Sequence, residues 1–222
     1  RINGLDTPHW QEDIRVVVAG GADGIRIAKC ESAADVKLVE EHVLAAEKEF
    51  GVEEGRTLLM AALESPKGIM NAYEIVSASD RMFGCAISGG DFRKSMHVQI
   101  NRGGIEMLAA RSQMLLAARA ANVQCFDTMY PNIDDMEGFE AEVKQNREMG
   151  FDGKSIVNPR QIAFVHETFA PTPKEIAYAE KLVRSFNEQV DSGVGVYTVD
   201  GKMVDIPFFE DARRILSLIH IS

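Results

Sequence analysis

The chain alternates short apolar segments with longer amphipathic ones, and this alternation constrains its fold more than any other feature. The short segments predict strands at Ile25–Ala28, Leu58–Leu63, Phe83–Ile87, Gln124–Thr128 and Gly153–Val157, and Arg1-Ile-Asn-Gly has the pattern of a further strand end. The longer segments predict helices at Ala33–Phe50, Pro66–Val76, Ile105–Ala121, Asp134–Met149 and Pro159–Thr168. Repeated strand–helix units are typical of a parallel α/β domain.

Such a domain is either a doubly wound sheet or a (β/α)8 TIM barrel. The glycine-rich segment Gly20–Gly24 precedes its strand, which is the wrong side for a phosphate-binding loop. Acidic residues instead lie at strand ends, at Glu64, Asp91 and Asp127, where barrel enzymes build their active sites. The pattern gives six units, a closed barrel has about eight, and the chain begins at Arg1 without methionine. We therefore predict a TIM barrel, truncated at its N-terminus, over residues 1–169.

Residues 170–222 have a different pattern and predict a C-terminal lid of helices and a hairpin. A charged helix runs from Pro171 to about Val190, and a final helix covers Phe208–Leu218. Between them, an Asp-Gly pair joins the short apolar segments Val196–Val199 and Lys202–Val204. Asp-Gly between two such segments is a strong hairpin signal.

Composition narrows the class of function. The chain has 24 basic and 34 acidic residues and a formal net charge of −10, whereas a nucleic-acid-binding protein normally presents a basic surface. No apolar run approaches the roughly 20 residues of a membrane-spanning helix. Cys30, Cys85 and Cys125 are far apart, which indicates free thiols of a reducing compartment. We therefore expect a cytoplasmic protein that binds neither nucleic acid nor membrane.

Two carboxylates follow neighbouring predicted strands at the same end of the domain. Glu64 comes directly after Leu58–Leu63, and Asp91 follows Phe83–Ile87. Because neighbouring strands lie about 5 Å apart, the two side chains could share a hard cation. Mg²⁺ takes one or two carboxylates and leaves its other positions to water and substrate. In the alternative interpretation each carboxylate caps the next helix or pairs with a lysine, and the residues alone leave both open.

Several motifs resemble the aldolase/citrate lyase family of barrel enzymes. In chain order they are Arg1-Ile-Asn-Gly-Leu-Asp-Thr-Pro, Gly24-Ile-Arg-Ile-Ala-Lys-Cys-Glu-Ser, Leu63-Glu-Ser-Pro-Lys-Gly, Cys125-Phe-Asp-Thr, Gly150-Phe-Asp-Gly-Lys-Ser-Ile-Val-Asn-Pro-Arg-Gln-Ile, Phe169-Ala-Pro-Thr-Pro-Lys-Glu-Ile and Asp200-Gly-Lys-Met-Val-Asp. Together they span nearly the whole chain, so they indicate the family more strongly than any single motif. The resemblance implies that Arg1 ends the third strand of the barrel.

The resemblance also implies a function, a Mg²⁺-dependent carbon–carbon lyase that acts on 3-hydroxyacyl thioesters. The expected substrate is a citryl thioester on an acyl carrier protein, which is split into oxaloacetate and an acetyl thioester. The alternatives are a stand-alone lyase for malyl-CoA or citramalyl-CoA and a non-catalytic barrel subunit. The family implies a homo-oligomer, in the first case within a complex that contains acyl carrier and acyl transferase subunits.

The same resemblance assigns roles to individual residues. Glu64 and Asp91 would be the metal ligands, and Arg1 would bind a substrate carboxylate through its planar guanidinium fork. Asp205 would reach the site of a neighbouring subunit as acid or base, although a surface hairpin aspartate is an equal alternative. One position departs from the family pattern, because Gly90 stands where an acidic residue usually precedes the ligand aspartate.

Three further residues are candidates for substrate binding. Lys29 lies at a predicted strand end and could face the site, although pairing with Glu31 or a neighbouring acid is as reasonable. Lys154 and Asn158 lie in the last predicted strand–helix loop, where barrels often bind phosphate. We expect them to contact the phosphates of the thioester carrier.

Overall fold

The protein is described by a computed structural model that covers residues 1–189 and 197–219. The chain divides into two compact units, Arg1–Thr168 and Phe169–Ser222. Within the covered ranges, none of the helices combines the length and apolar character that a membrane crossing requires. The predicted helix end at Val190 and strand start at Val196 lie outside the described residues.

A five-stranded parallel sheet forms the centre of the first unit. Its strands are β1 (Gly24–Ile27), β2 (Leu58–Leu63), β3 (Met82–Ile87), β4 (Gln124–Asp127) and β5 (Gly153–Lys154), and they lie side by side in sequence order. The predicted parallel α/β fold is confirmed. The segment at Arg1 is not a strand, since its backbone bond from Ile2 N–H to Arg26 O, at 3.1 Å, does not extend into a ladder in the described part of the chain.

Helices precede, connect and follow these strands. They are α1 (Trp10–Ala19), α2 (Ala33–Phe50), α3 (Pro66–Met70), α4 (Ala72–Val76), α5 (Gly89–Met96), α6 (Ile105–Ala120), α7 (Met136–Met149) and α8 (Ile162–Phe169), the last preceded by a 3-10 turn at Pro159–Gln161. The predicted helix Pro66–Val76 is in fact two helices. The break falls at Asn71, whose side-chain amide donates to the Glu31 carbonyl oxygen at 2.9 Å.

Local sequence signals account for both ends of α2, the helix that precedes β2. Ser32 caps α2 in a capping box with Asp35, and Gly51 ends the helix in the left-handed conformation at φ 66°. By contrast, α1 and α5 are not among the predicted helices. In α1, Trp10, Ile14 and Val18 are buried at intervals of four residues. This spacing is helical, but it extends over only one ten-residue segment of the sequence.

The second unit consists of α9 (Pro173–Gln189), the antiparallel hairpin β6 (Tyr197–Val199) and β7 (Lys202–Val204), and α10 (Ile206–Leu218). The hairpin turns at Asp200 and Gly201, both at positive φ, as Asp-Gly predicts. Its core is a cluster of buried residues, namely Ala179, Leu182, Val199, Val204 and Ala212. The phenyl rings of Phe186 and Phe209 stack beside it with centroids 3.9 Å apart.

Candidate active site

Glu64 lies at the carboxyl end of β2 and is only 3% exposed. Both of its carboxylate oxygens are buried without a hydrogen-bond partner among residues 1–189 and 197–219. The cap of α3 comes from Ser65, whose Oγ accepts a hydrogen bond from Gly68 N–H at 3.1 Å. Glu64 therefore serves neither as a helix cap nor as the partner of a lysine.

Asp91 stands in the first turn of α5, beside the end of β2. The Ser88 N–H donates to the Leu63 carbonyl oxygen at 3.0 Å, which places the start of α5 next to Glu64. Burial away from water and the adjacent Asp91 side chain raise the pKa of Glu64, whereas the nearby backbone N–H of Lys29 and the positive charge of Arg1 lower it. The two carboxylates and Arg1 therefore act on one another within a single site.

This donor set fits a magnesium ion. A buried carboxylate without partners is costly, and a divalent cation between Glu64 and Asp91 would remove both that cost and their repulsion. Within the described ranges, no cluster of three or more His, Cys, Asp or Glu side chains could hold a metal ion. The protein would thus supply two carboxylates, and water and substrate would complete the octahedron that Mg²⁺ requires.

Gly90 precedes Asp91 in α5 and lacks the acidic side chain that the family pattern leads us to expect. A Cβ built at this position would meet no other atom within 4 Å. The missing carboxylate therefore leaves open space at the start of α5 and is not compensated by closer packing.

Arg1 and Lys29 lie at the sheet edge formed by β1. Arg1 is exposed and precedes Ile2, which is buried and bonded to β1. Lys29 has an unusual positive φ of 50° and extends an exposed side chain whose ammonium lies 3.5 Å from Asp6. The alternative in which Lys29 pairs with an acidic residue is thus observed, with Asp6 and not with Glu31, which lies 3.3 Å from Lys67.

Lys154 belongs to a buried charged network behind the strand ends. Its fully buried ammonium donates to Asp127 at 2.8 Å, to the Thr128 carbonyl oxygen at 2.7 Å and to Glu142 at 2.5 Å. Arg111 forms a bidentate bond with Asp127, with both distances 2.8 Å. Because its three N–H groups are occupied, Lys154 has none left for a phosphate. The structure gives Lys154 a structural role in place of the predicted substrate contact.

Asn158 also makes local contacts. It caps the 3-10 turn, with its Oδ1 accepting from the Arg160 N–H at 3.0 Å. Asp205 lies in the second unit, immediately before α10. The structure thus brings together Glu64, Asp91 and Arg1 and places Lys29 at the adjoining edge.

One further polar residue in this region was not predicted from the sequence. Arg26, in the middle of β1, is half-buried, and its Nη2 donates to Ser88 Oγ at 3.4 Å. An arginine between Ile25 and Ile27 interrupts an apolar strand. This interruption is the sequence signal that could have identified Arg26 as a candidate site residue.

The HpcH/HpaI aldolase/citrate lyase family matches residues 1–159. The chain belongs to this family. The family membership predicted from the motifs is confirmed, and Glu64, Asp91 and Arg1 lie within the matched range.

Curated relatives agree with this membership. The citrate lyase subunit beta of Leuconostoc mesenteroides subsp. cremoris is 45% identical over 218 residues, covering 98% of this chain and 72% of the relative. That of Escherichia coli K12 is 41% identical over 222 residues, covering 100% and 74%. A (3S)-malyl-CoA thioesterase of Cereibacter sphaeroides is more distant, at 34% identity over 217 residues, covering 98% and 72%.

Two solved structures from Mycobacterium tuberculosis are also similar. The protein CitE in complex with magnesium, acetoacetate and coenzyme A has a TM-score of 0.73 and 25% identity, covering 99% of this chain and 77% of that chain. A citrate lyase beta subunit complexed with oxaloacetate and magnesium has a TM-score of 0.64 and 26% identity, covering 77% and 72%.

Proposed function

We propose that the protein is a Mg²⁺-dependent carbon–carbon lyase of the citrate lyase beta type, which cleaves a citryl thioester into oxaloacetate and an acetyl thioester. The observation that carries this proposal is the buried, unpartnered carboxylate of Glu64 beside Asp91 and Arg1. The relatives at 41–45% identity support a citryl substrate over a malyl one, and the solved structures with magnesium support the cofactor.

The residues of the site suit a retro-aldol cleavage. Mg²⁺ held by Glu64 and Asp91 would lower the pKa of the substrate hydroxyl and stabilise developing negative charge. Arg1 binds a substrate carboxylate and fixes the orientation of the scissile bond. A base removes the hydroxyl proton, and the O–H electron pair forms the carbonyl of oxaloacetate. The carbon–carbon bond breaks to leave a thioester enolate, and an acid protonates its carbon to give the acetyl thioester.

We assign the proton transfer to Asp205, supplied by a neighbouring copy in a homo-oligomer. Asp205 occupies the N-cap position of α10 but makes no cap hydrogen bond with its side chain. Its Oδ1 is buried and has no partner in the part of the chain that the structure covers. A carboxylate oxygen that makes no hydrogen bond in its own unit can accept and deliver a proton elsewhere.

The proposal also covers the complete fold, the thioester carrier and the cellular location. The sequential order of β1 to β5 supports a (β/α)8 barrel, because a doubly wound sheet reverses its strand order part-way. Residues 170–222 would form its lid. Lys29 and Asn158 would contact the thioester carrier, an acyl carrier protein within a citrate lyase complex. Three free, buried cysteines support a cytoplasmic location.

A cleavage assay with purified full-length protein tests the activity. Citryl, malyl and citramalyl thioesters are supplied with Mg²⁺ or with EDTA, and the released oxo acid is quantified. We expect Mg²⁺-dependent release of oxaloacetate from the citryl thioester as the fastest reaction. Preferential cleavage of a malyl or citramalyl thioester would show that this thioester, and not the citryl one, is the substrate. Absence of cleavage in every case, together with no metal-dependent ligand binding, would identify a non-catalytic subunit.

Subunit complementation tests the role of Asp205. Asp205→Ala and Glu64→Gln each inactivate the enzyme in our account, and the Asp205 variant keeps Mg²⁺ binding. Mixed oligomers of the two variants should regain activity, because some sites then combine an intact Glu64 with an intact Asp205. Asp211→Asn, which alters an exposed aspartate of α10 paired with Arg214, should leave turnover unchanged. Full activity of Asp205→Ala, or mixed oligomers without activity, would contradict the assignment.

A further inference from the structure

Arg26 is a positively charged group in the candidate active site that the reaction above does not use. It is the third residue of β1, half-buried, and its neighbours Ile25 and Ile27 are fully buried. Its Nε is buried and has no hydrogen-bond partner within residues 1–189 and 197–219. Its bond to Ser88 Oγ is long, at 3.4 Å. A buried N–H without an acceptor is costly. The Nε–H of Arg26 is therefore available to form a hydrogen bond with an anion.

The Arg26 side chain lies on the face of the sheet that carries Glu64. Arg26 stands opposite Met60 in β2. Ala62 and Glu64 share the face of Met60, because successive side chains of a strand alternate between faces. Ser88, the hydrogen-bond partner, follows β3, two strands away. The guanidinium therefore crosses β2, where Ala62 presents only a methyl group and leaves room for it.

Arg26 and Arg1 bring two guanidinium groups to one metal site. Burial lowers the pKa of Arg26, the negative charge of Glu64 raises it, and the positive charge of Arg1 lowers it. Both arginines also line a cavity of about 430 Å³ together with Asp23 and several apolar side chains, and neither of the two metal ligands lines it. The two cations are thus near neighbours, and the bond to Ser88 and the interaction with Glu64 place Arg26 beside the metal site.

The two arginines match in number the two carboxylates of the oxo acid that the proposed reaction releases. Cleavage of a citryl thioester releases an oxo acid with two carboxylates, whereas cleavage of a malyl thioester releases one with a single carboxylate. One arginine beside the metal is sufficient for the smaller product. A second arginine with an unused N–H is the complement of a second carboxylate, since guanidinium and carboxylate form charge-assisted, often bidentate hydrogen bonds.

We infer that Arg26 binds the second carboxylate of the departing oxo acid and so determines the preference for citryl over malyl thioesters. This inference rests on the proposed lyase function. A substrate that lacks the second carboxylate leaves Arg26 buried and unpaired, and a site built to pair a polar group discriminates strongly against an analogue without it. Arg26 thereby sets specificity and leaves the metal ligands and the cleaved bond unchanged.

Calorimetric titration of the full chain at saturating Mg²⁺ tests the inference with oxaloacetate and pyruvate as probes. Pyruvate keeps the 2-oxo acid group and lacks the second carboxylate. Arg26→Met should weaken oxaloacetate binding by about 10- to 100-fold, as expected for a lost hydrogen bond between charged groups, and pyruvate binding by less than about threefold. Arg26→Lys, which keeps the charge but not the fork, should give a smaller loss for oxaloacetate alone.

Arg15→Met is the matched control, because Arg15 is exposed on α1 and pairs with Glu49 at the surface. It should change neither titration. Equal losses for both oxo acids, or no loss, in Arg26→Met would overturn the role of Arg26. If that variant does not fold, the same comparison in Arg26→Lys decides. An unsubstituted protein that binds neither oxo acid with Mg²⁺ would overturn the proposed function itself, a result distinct from normal binding with unchanged selectivity.

Discussion

Replacing Glu64 by glutamine should stabilise the metal-free protein while removing its response to Mg²⁺. The sign of the expected change in stability follows from the direction of the pKa shift of Glu64. Burial and the adjacent Asp91 raise the pKa of Glu64, so the folded protein disfavours the charged form. Glutamine keeps the size of the side chain and removes the charge. The substitution therefore relieves a penalty that exists only while no cation is bound.

The magnitude follows from the charge of Glu64, because glutamine keeps two polar atoms in the same buried place and removes only the charge. A buried charge without an ion-pair partner costs at least about 1–3 kcal/mol, which in a unit of this size corresponds to a gain in melting temperature of about 2–12 °C at pH 7. Mg²⁺ at 100 times its Kd should stabilise the parent protein by about 2.7 kcal/mol through binding. Glu64→Gln should show little of that gain.

The assay is thermal unfolding with and without Mg²⁺, followed by the fluorescence of Trp10. Trp10 is the one tryptophan of the sequence and is buried in α1, so the signal reports the unit that contains the site. Glu47→Gln is the matched control, since Glu47 is equally buried but bonded to Arg81 at 2.7 Å. This change should destabilise the protein and leave its Mg²⁺ response intact. A metal-free Glu64→Gln protein that melts below the parent, or that retains the full Mg²⁺ shift, would refute the reasoning.

Three other perturbations have definite outcomes. Burial raises the pKa of Glu47, but hydrogen bonds from Arg81 and two backbone N–H groups outweigh this and lower it to about 2. The stabilisation is therefore complete above pH 4.5 and disappears as the pH falls through about 2, so urea unfolding should separate parent and Glu47→Gln by about 3 kcal/mol at pH 7 and by less at pH 3. Lys154→Met leaves Asp127 and Glu142 with a missing partner and should cost about 3–5 kcal/mol in the same assay. Gly90→Ala meets no neighbour and should raise stability by up to about 1 kcal/mol.

Much of the fold was predictable because its signals are local. The apolar segments gave the five strands to within a few residues, and the Asp-Gly pair located the hairpin turn. The errors occur where tertiary contacts override local pattern. The break at Asn71 depends on a hydrogen bond to Glu31, 40 residues away in sequence. The extended segment at Arg1 meets β1 through one backbone bond of Ile2.

The site was predictable where motifs carry it and not where long-range pairing does. Glu64 and Asp91 stand in motifs at strand ends, and the structure places them together. Lys154 occupies an equivalent loop position, but its partners Asp127 and Glu142 come from other elements, and no sequence pattern revealed that they surround it. Arg26 was missed because an arginine inside an apolar strand reveals its role only when the opposite strand is known.

The most direct test of the account is a calorimetric titration of the full chain with Mg²⁺ in the presence of oxaloacetate. We predict one Mg²⁺ site whose affinity falls at least about tenfold in Glu64→Gln and in Asp91→Asn, the loss expected when a charged ligand is removed. Glu47→Gln should bind Mg²⁺ as the parent does. Equal Mg²⁺ affinity in the parent and all three variants would contradict the claim that these two carboxylates hold the metal.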